Sequence, residues 1–175
     1  MQISFIRTGA RRYRIEVARD DDSVMHMPHG PGFHPWLPHD LVHFVVERHF
    51  GIAMGVFGQL AAGGDAGTFF SIPHRRRDPR RRLSARLAAL GRDDVARSER
   101  LTAACMTAWH ARRGERWEFA QTVAPVEMSE ISDVLMAELD DVADRWHRTQ
   151  VGRALVVEWP EQLTARSHMA SAPHV

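Results

Sequence analysis

Residues 1–18 read MQISFIRTGARRYRIEVA, and on either side of the Gly-containing turn at Thr8–Arg11 the segments 1–7 and 12–18 alternate apolar with polar side chains. A period of two is that of a strand with one face buried, so the stretch predicts an antiparallel hairpin. Val24–Met27 extends the pattern into a third short strand, and RALVVEW at 153–159 returns to it near the end of the chain. Between these strands the apolar residues recur at helical spacing. Strands first, helices next and one late strand predict an α+β fold, a small antiparallel sheet with helices packed on one face.

Pro38 suits the first turn of a helix because its missing N–H would go unbonded there, and Asp40 behind it favours the positive end of the helix dipole. The spacing predicts a helix over about 38–50, ended by Gly51, and a second over 52–62 with small residues at Gly55 and Gly58 where another element can approach. Thr68–Pro73 reads as a short strand, 83–90 and 93–113 as helices, and 117–124 as extended chain. Ser129 is placed as the N-cap of a helix running to about Gln150, with Ile131, Leu135, Leu139, Val142 and Trp146 on one stripe. The expected organisation is a single domain over 1–160 and a disordered tail over 161–175, where Ala, Ser, Thr and Pro leave little to bury.

Composition narrows the chemistry. The chain contains no Lys and no Asn, so all 23 basic side chains are Arg, which excludes Schiff-base lysines, a Walker-type phosphate loop and a Cys-His-Asn triad. The one cysteine, Cys105, cannot form an internal disulfide or a thiolate cage, so any metal would sit on nitrogen and oxygen. No apolar run approaches the roughly 20 residues that span a bilayer, and a cytoplasmic location is expected.

Six of the 11 histidines, at 26, 29, 34, 39, 43 and 49, fall within 24 consecutive residues. Imidazole is the usual nitrogen ligand for divalent transition metals. Four residues advance a helix by about 40° beyond a full turn, so His39, His43 and Glu47 in PHDLVHFVVERH (38–49) climb one face while Leu41, Val42, Val45 and Val46 occupy the remainder. Glu47 is then either a third ligand or the group that orients His43, with His34 as the other candidate to complete the set. Asp40 and Glu47 are the acidic candidates for catalysis. The metal expected is zinc, ahead of iron, which two histidines and a carboxylate also suit, and of copper, which MHMPH at 25–29 could attract through Met and His. The competing reading makes His39, Asp40, His43 and Glu47 the solvated side of an ordinary amphipathic helix.

The pentapeptide His39-Asp40-Leu41-Val42-His43 resembles the HExxH helix of zincin metallopeptidases, with Asp in the place of the family's Glu. The resemblance implies His39 and His43 as zinc ligands and Asp40 as the base that takes a proton from the metal-bound water. It covers five residues, and it implies a hydrolase acting on a small-molecule or peptide substrate. A separate feature, HRRRDPRRR at 74–82, suits an acidic partner or nucleic acid. The net charge of +1 and the acids Glu130, Asp133, Glu138, Asp140, Asp141 and Asp144 argue instead for internal or intersubunit pairing of that arm, so a non-enzymatic binding or regulatory protein is the second reading and a homo-oligomer stays open.

Overall fold

The computed structural model describes residues 1–30, 37–71, 81–115 and 125–164. The expected hairpin is formed by β1 (Gln2–Gly9) and β2 (Arg12–Ala18), followed by β3 (Val24–Met27), a two-residue β4 (Phe70–Ser71) and β5 (Ala154–Glu158). They make one antiparallel sheet in the order β4-β3-β2-β1-β5, so the late strand closes onto the first. Register keeps the apolar residues on one face: Ile3 lies opposite Val17 and Val157, Phe5 opposite Ile15 and Leu155, and Val17 opposite Met25. All of these are buried. The reverse face carries Arg14 and Glu16, paired at 3.3 Å, and His26, so the alternation read from the sequence separates core from solvent.

On the apolar face lies α1 (His39–His49), in which Leu41, Val42, Phe44, Val45 and Val46 are wholly buried. Burying each such side chain contributes about 1.5–3 kcal/mol, which fixes the rotation of the helix. Gly51, at φ +65°, turns the chain out of α1. The helix expected over 52–62 forms only as α2 (Val56–Ala61), because the side chain of Glu47 bonds the amides of Val56 and Phe57 and sets where the first turn begins. Phe57 stacks on Trp159 with ring centroids 5.8 Å apart, joining α2 to the residue that follows β5.

The remaining helices are α3 (Arg81–Leu90), α4 (Arg92–Arg112), α5 (Pro125–Ser129) and α6 (Asp133–Arg148). The N-cap expected at Ser129 is Ser132, whose side chain accepts the Leu135 amide at 3.2 Å; Ser129 instead ends the short α5. A serine three residues further on supplies the same chemistry, and local sequence does not separate the two. Arg48 and His49, at the end of α1, both bond Glu138 of α6, at 2.9 and 3.1 Å. Asp133 pairs with Arg112 and Asp141 with Arg145, so these acids of α6 are engaged by α1, α4 and α6 itself. Most of the Arg-rich arm, the segment 117–124, His34 and residues 165–175 lie outside the described residues. Among the described residues no helix is long and apolar enough to cross a membrane.

Candidate metal centre

On the side of α1 that carries His39, His43 and Glu47, His43 and Glu47 pack against α4, and Glu47 also meets the first turn of α2. His43 is 4% exposed and Glu47 0%, which overturns the reading of this face as solvated. Burying a histidine and a glutamate is costly unless their polar atoms are bonded, and here they are. His43 Nδ1 lies 2.8 Å from Ser98 Oγ and 3.3 Å from Thr102 Oγ1, one turn apart on α4. Ser98 donates to Glu47 Oε1 at 2.9 Å, and the amides of Val56 and Phe57 donate to the two Glu47 oxygens at 3.0 Å each. Gly55 is required beside them, since a Cβ there would stand 2.4 Å from the Glu47 carboxyl carbon.

The Glu47 oxygens bond α2 and Ser98, and Glu47 is not among the residues whose ligand atoms cluster with the two histidines. The carboxylate that does converge with them is Glu99, on α4. One ligand atom each from His39, His43 and Glu99 lie within 4.8 Å of one another, and His43 Nε2 stands 3.5 Å from Glu99 Oε2. Tetrahedral zinc with bonds of about 2.0–2.2 Å needs ligand atoms about 3.4 Å apart, so one pair already fits. The Glu99 side chain is 60% exposed, which lets it adjust and leaves the outer side of the cluster open to solvent. The His39 and His43 rings meet edge-on with centroids 4.6 Å apart, as side chains one helical turn apart on one face do.

The site's electrostatics divide the two histidines. Burial, then the neighbouring His43, push His39 down to about 4, partly offset by Glu99, so His39 is neutral and able to donate a lone pair near pH 7. His43 goes the other way: burial lowers it, but Glu99, Glu47 and Asp40 outweigh burial and raise it. The bond to His43 in turn holds Glu99 below the ordinary glutamate value. Between about pH 6.5 and 4 an unfolded chain takes up a proton that folded His39 refuses, so the contribution of His39 to the stability of metal-free protein falls with pH through that window, by at most about 3 kcal/mol. In chelator, His39→Gln is expected to flatten the stability profile between those limits. A slope unchanged from wild type would contradict the assignment.

Asp40, next to His39 in the chain, accepts a hydrogen bond from the Tyr13 hydroxyl on β2, and burial raises its pKa. A raised carboxyl pKa is a shift in the direction that suits proton transfer. The MHMPH stretch does not gather a copper site, because Met25 and Met27 are buried in the sheet core while His26 points to the other face, 3.7 Å from Glu16. Cys105 is buried in the core, which pushes its thiol up to about 12 and makes it inert.

Glu99 is not signalled by spacing within the 38–50 helix, because it lies 56 residues from His43 on another helix. The available signal was Ser98 and Thr102, two small polar residues four apart that are buried on α4, with Glu99 between them. No family model matches the chain, and no match was found among curated proteins or among solved structures.

Proposed function

We propose that the chain binds a divalent metal, zinc ahead of iron or copper, through His39, His43 and Glu99, and that it works as a small metal-dependent hydrolase on a small-molecule or peptide substrate. The observation that carries this reading is the convergence of two imidazoles from α1 and a carboxylate from α4 at a point open to solvent. Three protein ligands with a free position are the arrangement of catalytic rather than structural zinc sites. Bound zinc would supply a coordinated water of lowered pKa and a Lewis acid for a substrate oxygen. His39, His43 and Glu99, exposed at the rim, would hold the metal, and Asp40, which accepts a hydrogen bond from Tyr13, would take a proton from the coordinated water. His34, five residues before His39 in the sequence, is proposed as the alternative to Glu99 as third ligand. A lone inert cysteine suits the reducing cytoplasm, where we place the protein.

Asp40→Asn separates binding from chemistry. It is expected to retain zinc while lowering zinc-dependent hydrolysis of a chromogenic ester by about 10²–10⁴-fold. Equal rates in the two proteins would remove Asp40 from the mechanism, and the absence of any zinc-dependent hydrolysis in wild type would contradict the hydrolase reading.

A second reading draws support from α3, where Arg81, Arg82 and Arg86 are exposed, and from the acids of α6 that already have other arginines. It makes the 74–82 arm a contact for an acidic partner or nucleic acid. Duplex DNA affinity should then fall steeply as salt rises, and salt-independent binding would count against it.

A further inference from the structure

We propose that Glu47 and Ser98 are positioning residues for the metal centre: through the Ser98 hydroxyl, the buried Glu47 carboxylate holds the His43 ring with Nδ1 as a hydrogen-bond donor and Nε2 turned to the metal. The inference rests on the metal reading above and explains two buried groups that reading does not otherwise use.

The direction of the hydrogen bonds follows from counting protons. A hydroxyl has one to give. Burial raises the pKa of Glu47, but His43 and the donors Val56 N–H, Phe57 N–H and Ser98 O–H oppose that shift, and with an amide on each oxygen we take the group as the carboxylate, which can only accept. Ser98, 2.9 Å from Glu47 Oε1, must therefore spend its proton there. At 2.8 Å from His43 Nδ1 the same oxygen is then an acceptor, and Nδ1 must carry the hydrogen. Thr102 Oγ1, 3.3 Å from Nδ1, lies on the same side of the ring. What remains is Nε2, the nitrogen that faces Glu99 at 3.5 Å.

A ligating histidine that donates its other N–H to a fixed acceptor is held in one tautomer and one orientation, and the ring becomes a better ligand. Here a hydroxyl stands between carboxylate and imidazole. The relay also excludes Ser98 as a nucleophile, since it is 1% exposed and its proton is committed. Because Glu47 simultaneously bonds the first turn of α2, the orientation of His43 is tied to the docking of that helix.

Long-range proton–nitrogen correlation on histidine-labelled, metal-free protein tests the relay without any substitution. At a pH where the His43 ring is neutral, Nδ1 should carry a proton protected from exchange and Nε2 should carry none; a bare Nδ1 would overturn the inference whatever zinc does. In Ser98→Ala/Thr102→Val that protection should disappear and zinc affinity should fall by about 10–100-fold, with the fold retained by circular dichroism. Unchanged affinity in the folded double variant would also overturn it. Wild type with a protonated Nδ1 and no affinity for zinc would instead overturn the metal reading, so the two failures are distinguishable.

Discussion

Replacing Glu47 with alanine is expected to lower the free energy of unfolding by about 3–5 kcal/mol, a large share of the 5–15 kcal/mol typical of a whole domain. The substitution strands three donors in the interior: the amides of Val56 and Phe57 and the hydroxyl of Ser98. Each buried donor left without a partner costs about 1–3 kcal/mol, and partial relaxation of α2 brings the sum down to the range given. The N-cap of α2 is Gly55, which has no side chain to cap it, and among the described residues Glu47 is the side chain that bonds the α2 amides. Glu47→Gln should cost less, because it keeps the shape and one acceptor while turning an amide nitrogen toward a backbone donor. Urea unfolding followed by circular dichroism measures both. A loss below about 1 kcal/mol for Glu47→Ala would show that the carboxylate does not hold α1, α2 and α4 together.

The other large effect is on heat stability. A ligand that binds only the folded chain stabilises it by about 2.7 kcal/mol at 100 times its dissociation constant, and each kcal/mol raises Tm by about 2–4 °C in a chain of this size. Zinc at that excess is thus expected to raise the Tm of wild type by about 5–10 °C, reversibly on adding chelator. His39→Ala/His43→Ala should show no such rise. Glu99→Gln should give a smaller one, since the amide oxygen is a weaker donor than the carboxylate. An equal rise in wild type and the double variant would mean that zinc binds elsewhere, for instance among the other histidines.

How much of this was legible in the sequence depended on how local each signal was. The β1-β2 hairpin and α1 are written in runs whose period matches their structure, and Pro38, Asp40 and Gly51 mark the ends of α1 by chemistry confined to one or two residues. The start of α2 was not legible, because it is set by Glu47, nine residues upstream and on another helix. The same long reach hid the site's third member. Helical geometry brought His39 and His43 to one face and placed Glu47 after them, but burial beneath α4 turned Glu47 inward to Ser98 and α2, and Glu99 came from α4 itself. Which acid faces a pair of histidines is decided by helix docking, to which spacing within one helix is blind.

The same docking accounts for the chemistry the site can perform. Apolar burial fixes the rotation of α1, the Glu47 bonds fix α2 and Ser98 against it, and the two histidines are left facing the one exposed acid of the cluster. His39 is neutral near pH 7, and His43 turns Nδ1 to Ser98 and Nε2 toward Glu99, so each ring has a nitrogen facing the cluster. The most direct measurement is the metal content of protein incubated with zinc, desalted and analysed by elemental mass spectrometry. The account predicts one zinc per chain in wild type and none in His39→Ala/His43→Ala. Wild type without stoichiometric zinc, or a double variant that retains it, would contradict the account.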